Sequence, residues 1–145
     1  MTLPPPPPPT PADVVRRHIL RFENGLGPDL ADAYATDAVI EQPFMPSGPV
    51  RLEGRDAIRA YFAGAARLPV ILRPRDVEIR ATVDPDVVVA EYKYEMELRS
   101  TGARFEVANI QVMCVRDGEI AWSRDYHQHE VIAAHVRAPA SEPDR

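Results

Sequence analysis

Ser123, Asp125 and His127 occupy alternate positions close to the end of the chain. On an extended strand the i to i+2 step separates attachment points by about 6.6 Å and keeps the three side chains on one face. A hydroxyl, a carboxylate and an imidazole converging on one ligand suit proton transfer, because the carboxylate accepts and returns a proton and the imidazole titrates near neutrality. A carboxylate enclosed by apolar groups is expected to have its pKa raised, which brings the pair toward the range useful for general acid–base work. A structural reading stands beside the chemical one: Asp125 can serve as an acceptor for Arg124 of a neighbouring subunit or for a backbone amide. His127 and His129 share one strand face only if the strand continues, and no further His or Cys cluster supplies the remaining ligands of a zinc site. Neither a glycine-rich phosphate loop nor a Ser-His-Asp nucleophile arrangement is visible. No metal and no cofactor are therefore expected.

Period-2 patterning indicates the strands that carry these residues. Four antiparallel strands are predicted at about 73–83, 87–99, 104–115 and 119–128, with Asp84-Pro85-Asp86, Thr101-Gly102 and Asp117-Gly118 as the turns. In the second, Glu91, Lys93, Glu95, Glu97 and Arg99 share a polar face, so Val88, Ala90, Tyr92, Tyr94, Met96 and Leu98 point into the core. In the third, Phe105, Val107, Asn109, Gln111 and Met113 lie on one face and Ala108, Ile110, Val112 and Cys114 on the other. A strand apolar on both faces needs a second covering layer. With Ile120, Trp122 and Tyr126, its outer face suggests a sheet-to-sheet homodimer; cover by the C-terminal helix of the same chain is the alternative. Tyr92, Tyr94, Asn109, Gln111 and Ser123 become candidate substrate-binding residues. The tyrosines also read as core aromatics with a polar tip, and Asn109 and Gln111 as partners of each other.

Upstream, Thr10-Pro11 opens a helix whose Val14, Val15, His18, Ile19 and Phe22 share one face. His18 is either a satisfied core histidine or a pocket residue. A short helix with Leu30, Ala33 and Tyr34 follows, then a first strand over Ala38–Pro43 and a helix over Gly54–Leu68 that turns Ile58, Tyr61, Phe62 and Ala65 inward. A last helix is predicted at about 129–136. Glu41 faces away from the pocket and should pair with Arg51 or Arg55. Helices followed by a strand meander argue an α+β fold, a sheet covered by helices on one face.

A length of 145 residues allows one domain with a single core. The net charge of −5, from 17 basic and 22 acidic residues, comes with no basic run, so nucleic acid and anionic membranes are poor partners. One cysteine, Cys114, excludes an intrachain disulfide, and no stretch has the length of a membrane span or secretory signal. A cytoplasmic protein is expected. The proline run Pro4–Pro9 and the polar residues 138–145 read as disordered ends, leaving residues 11–137 as the domain and 1–10 as a tether, with docking of the proline run in an aromatic groove of a partner domain as the alternative.

Tyr34-Ala-Thr-Asp-Ala-Val-Ile-Glu-Gln-Pro43, Glu53-Gly-Arg-Asp-Ala-Ile58 and Arg116-Asp-Gly-Glu-Ile120 running into Arg124-Asp-Tyr126 resemble the nuclear transport factor 2-like superfamily. Within it the pattern is most similar to the SnoaL-like polyketide cyclases and the ketosteroid isomerases, over about 12–135. The resemblance implies a curved antiparallel sheet wrapped around helices in a cone (a cystatin-like α+β barrel) enclosing a small-molecule pocket, with homodimers formed through the outer sheet face. Steroid isomerases place a tyrosine on the first helix, a carboxylate base at the end of the first strand and a protonated acid on the penultimate strand. Here those positions hold His18, Gln42 and Gln111, and glutamine is no base, although His18 and Gln111 can polarise a carbonyl. Asp125 falls where SnoaL-like cyclases and limonene-type epoxide hydrolases carry their catalytic carboxylate. The hydrolases add an arginine and a second aspartate near Tyr92 and Tyr94, which this chain lacks. His18, Tyr92, Tyr94, Asn109, Asp125 and His127 also resemble in composition the pocket of the superfamily's dehydratases. These likenesses imply a cofactor-independent cyclase, isomerase or dehydratase acting on a hydrophobic molecule such as a polyketide or other secondary metabolite, with Asp125, His127 and His18 as catalytic residues and Gln42 among those contacting substrate. The alternative is a binding or scaffold dimer of the same fold that has lost the chemistry.

Overall fold

The first helix begins where the proline run ends. In the computed structural model, which describes residues 1–136, Thr10 accepts a hydrogen bond from the Asp13 amide while the Asp13 carboxylate takes the Thr10 amide, a capping box that opens α1 (Pro11–Arg21). Residues 1–9 have no secondary structure and are exposed, and the predicted tail at 138–145 lies outside the described residues. Helix α1 buries Val14, Val15, His18 and Ile19 along one stripe, as their spacing predicts.

Two 3-10 turns, Phe22–Asn24 and Pro28–Ala33, lead into β1 (Tyr34–Gln42). Tyr34, expected in the short helix, is instead the first residue of β1, because the 3-10 turn closes at Ala33 and Tyr34 pairs with Ile120. The loop expected after Pro43 contains a short strand, β2 (Val50–Glu53), on which Arg51 bridges to Glu41 at 3.1 Å. Helix α2 (Arg55–Ala65) follows, then β3 (Val70–Ala81), β4 (Val87–Leu98), β5 (Arg104–Arg116), β6 (Glu119–His127) and α3 (His129–Val136).

The six strands form one sheet in the order β2-β1-β6-β5-β4-β3. The meander from β3 to β6 is antiparallel, as its turns require; both residues of the Asp117-Gly118 turn have positive φ, the twist-matched geometry of a tight hairpin. Strand β1 joins β6 in parallel, a pairing without a local signature in the sequence. At the edges the sheet protects itself: β2 is short, and β3 carries Pro74, arginines and a bulge at Asp76.

One irregularity decides what β6 presents. Val115 pairs with Ile120 but Cys114 with Trp122, so Ala121 is an extra residue that reverses the alternation. Ile120 therefore enters the core, fully buried, and does not belong to the outer face where simple alternation puts it. Beyond the bulge Ser123, Asp125 and His127 turn to the inner, helix-covered side.

Candidate functional site

Strand register builds the site. Across β4, β5 and β6 one row is Ala90–Gln111–Asp125 and the next is Tyr92–Asn109–His127. Gln111 Nε2 donates to Asp125 Oδ1 at 2.9 Å, and Ser123 Oγ donates to the same oxygen. Oδ2 is left facing His127, whose Nε2 is 3.9 Å away. Tyr92 spends its hydroxyl proton on Gln111 Oε1 at 2.7 Å, which fixes the amide so that its NH2 group faces Asp125. At the 3.3 Å contact between the two tyrosines the donor must then be Tyr94.

A cavity of about 120 Å³ opens beside this network. Its polar wall comprises Gln42, Tyr94, Gln111, Asp125 and His127, joined by Tyr34, Tyr61 and His129; Phe22, Leu26, Ile40, Phe62, Val70, Leu72, Met96 and Ile132 make most of the rest. Gln42 comes from the end of β1, two residues beyond the Ile40–Ser123 pair, and so faces the same way as Asp125. Its Nε2 donates to Tyr61 Oη at 3.1 Å, leaving the Tyr61 proton free for a further acceptor. Burial raises the Tyr61 pKa; the Gln42 hydrogen bond opposes this and the Asp125 charge adds to it, so the phenol stays protonated. Tyr94 is raised as well, chiefly by burial.

Burial pushes both cavity histidines below the usual imidazole range, against the attraction of Asp125. Their rings meet edge to face at 5.3 Å, and His127 Nδ1 and His129 Nε2 have no hydrogen-bond partner among the described residues. No group of three or more metal-ligating side chains occurs among those residues.

Four of the residues predicted for the site stand behind the wall. Tyr92, Asn109 and Ser123 are buried but do not line the cavity; Asn109 donates to the Val107 carbonyl instead of to Gln111. His18 is separated from it by Tyr34, whose hydroxyl lies 3.2 Å from His18 Nε2. A catalytic His18 is thus corrected to a core histidine that holds Tyr34, with Phe22, Tyr34 and Phe62 edge-on around its ring. Tyr34, Tyr61 and His129 were missed as site residues. The signal for Tyr61 was present in the inward face of α2, whereas Tyr34 needed the strand start and His129 the placement of α3.

His18 makes stability depend on pH. Burial, with the nearby charge of Arg21, drives its pKa from 6.5 to about 3, so the folded protein keeps it neutral while the unfolded chain protonates it. The unfolded state then holds more protons, and stability falls as pH drops below 6.5, continuing to about 3. About 2 kcal/mol should be lost between about pH 7 and about pH 5 from this group. Urea midpoints across that range should show the slope, to which His127 and His129, also lowered by burial, add with the same sign; His18→Gln should remove the share due to His18, and an unchanged slope contradicts the assignment.

Residues 15–123 match the SnoaL-like domain family. An uncharacterized PhzA/B-like protein of Pseudomonas aeruginosa is 32% identical over 111 residues, covering 75% of this chain and 78% of that one. Among solved structures, a proposed isomerase from Bacillus subtilis superposes with a TM-score of 0.78 at 23% identity, covering 88% of this chain and 93% of that one. A hypothetical protein with a ketosteroid isomerase-like fold from Catenulispora acidiphila, solved with trimethylamine, gives 0.71 at 17% identity, covering 91% and 98%. The two superpositions establish the fold as the α+β cone implied by the sequence resemblance. The family match runs from α1 through β1 to β5 and ends at Ser123 partway along β6, covering more than half of the chain, so the chain belongs to the SnoaL-like domain family.

Proposed function

We propose that the protein is a cofactor-independent acid–base enzyme, an isomerase, cyclase or dehydratase, acting on a small, largely apolar molecule. The observation that carries this reading is Asp125: a buried carboxylate beside an apolar cavity, anchored through Oδ1, with Oδ2 beside a neutral imidazole. Such a group removes a proton from carbon and returns it elsewhere. Tyr61, its oxygen already accepting from Gln42, is the donor for the oxygen on which charge develops. His127 relays protons to and from Asp125, and Gln111, Tyr92 and Ser123 hold the carboxylate. Turnover of small enolisable or β-hydroxy ketones by the purified protein, lost in Asp125→Asn, is the expected result. Equal turnover by the variant would defeat the reading.

The active form in this proposal is a homodimer joined through the outer face of β5 and β6. Ala108, Ile110, Val112, Trp122 and Tyr126 alternate outward there, and Ile110 is 44% exposed. Helix α3 does not cover them: His129 and Ile132 line the cavity and His135 stacks on Phe105, which points inward. An apolar strip of this kind favours pairing with a second copy. Light scattering should give the mass of two chains for the wild type and of one for Ile110→Lys; a monomeric wild type contradicts the assembly.

A further inference from the structure

We propose that the cavity selects against carboxylates, so that the substrate is a small uncharged alcohol or ketone carrying no acid group. This rests on the acid–base reading of Asp125 and narrows it. Among the described residues, no Lys or Arg lines the cavity and Asp125 is the one formally anionic side chain there. Arg55, bound to the carbonyl of the lining residue Tyr34, also holds Glu119 at 2.8 Å, and Arg75 pairs with Glu23.

The hydrogen-bond donors are committed too. A bound carboxylate needs two or more donors, preferably charged. Gln111 Nε2 and Ser123 Oγ both donate to Asp125, and Gln42 Nε2 donates to Tyr61. What remains uncommitted is neutral, the Tyr61 phenol proton and the imidazole N–H groups of His127 and His129, whose Nδ1 and Nε2, respectively, have no partner among the described residues; such donors suit a ketone or hydroxyl oxygen and supply no charge to hold an anion. Both cavity histidines are held neutral by burial and lend no positive charge. A ligand carboxylate would therefore meet Asp125 unscreened at low dielectric. Size adds a bound: about 120 Å³ lies below the roughly 300 Å³ at which pockets for drug-sized ligands begin, so the molecule is compact.

The test is a set of probes matched in size, acetophenone, benzoate and benzylamine, titrated into the full chain by ligand-observed NMR. Acetophenone should bind at least about tenfold more tightly than benzoate. In Asp125→Asn, which keeps an acceptor for Gln111 and Ser123 but removes the charge, the gap should close through a gain in benzoate affinity. Benzoate binding to the wild type as well as acetophenone does, a gap unchanged in the variant, or no acetophenone binding at millimolar concentration would each overturn the proposal. The wild-type comparison stands by itself should the variant fail to fold. Benzylamine separates the two readings. Binding much tighter than acetophenone would make Asp125 a counter-ion for an ammonium group, which supports rejection of anions and counts against acid–base chemistry.

Discussion

Asp125→Asn is expected to lower turnover by about 10²–10⁴-fold while leaving the fold and its melting temperature nearly unchanged. Asparagine is close in shape to aspartate, and its carbonyl oxygen can still accept from Gln111 Nε2 and Ser123 Oγ, so the anchoring hydrogen bonds survive. What disappears is the proton acceptor at Oδ2 and the charge that His127 faces at 3.9 Å. Replacing a buried carboxylate by a neutral amide also removes a desolvated charge, which works against any loss of stability. Asp125→Leu makes the useful contrast. It strands two buried donors at about 1–3 kcal/mol each, so it should lose both stability and activity. Kinetics and melting temperature measured on the pair of variants separate proton transfer from support; unfolding of the asparagine variant would make Asp125 structural.

Phe62→Ala should have the largest effect on stability, about 3–5 kcal/mol by denaturant titration. The ring is 5% exposed and sits among His18, Phe22, Tyr34 and Tyr61, with centroids 5.6–6.5 Å away. Those neighbours belong to α1, the 3-10 turn that follows it, β1 and α2, so they cannot all collapse into the space it leaves. Folded domains are stable by about 5–15 kcal/mol in total, and the variant should hold together only under mild conditions. Phe62 also lines the cavity, so the surviving folded fraction should accept bulkier ligands than the wild type does. A cost below about 1 kcal/mol would mean that the aromatic cluster repacks and does not set the cavity's shape.

Residues governed by local periodicity were legible in the sequence. The alternation of Glu91, Lys93 and Glu95 against Tyr92, Tyr94 and Met96 fixed the inner face of β4, and the stripe of Val14, Val15, His18 and Ile19 fixed the buried side of α1. The capping box was half legible, through Thr10-Pro11. What escaped depends on partners far along the chain. Ala121 bulges because β5 and β6 pair as they do, and nothing in Glu119–Trp122 announces that Ile120 turns inward. Tyr34 follows a run that reads as helix, and only its parallel pairing with β6 makes it a strand residue. His18 lies on the predicted face, yet whether that face reaches ligand is decided by Tyr34 standing in front of it. Gln42, identified through family resemblance alone, does line the cavity, with Tyr61 as its partner. The short strand Val50–Glu53 is held by cross-strand pairing with β1, including Arg51 with Glu41. Too few apolar residues lie between its flanking turns to mark it as a strand.

Proton transfer by Asp125 to and from carbon can be measured without a natural substrate. Acetophenone incubated with the protein in deuterium oxide reports, by loss of its methyl proton signal, whether the protein speeds exchange at the carbon next to the carbonyl. Exchange faster than in buffer is expected for the wild type, with a return to the buffer rate for Asp125→Asn. Exchange at the buffer rate with the wild type, or equal acceleration by both proteins, would contradict proton transfer by Asp125.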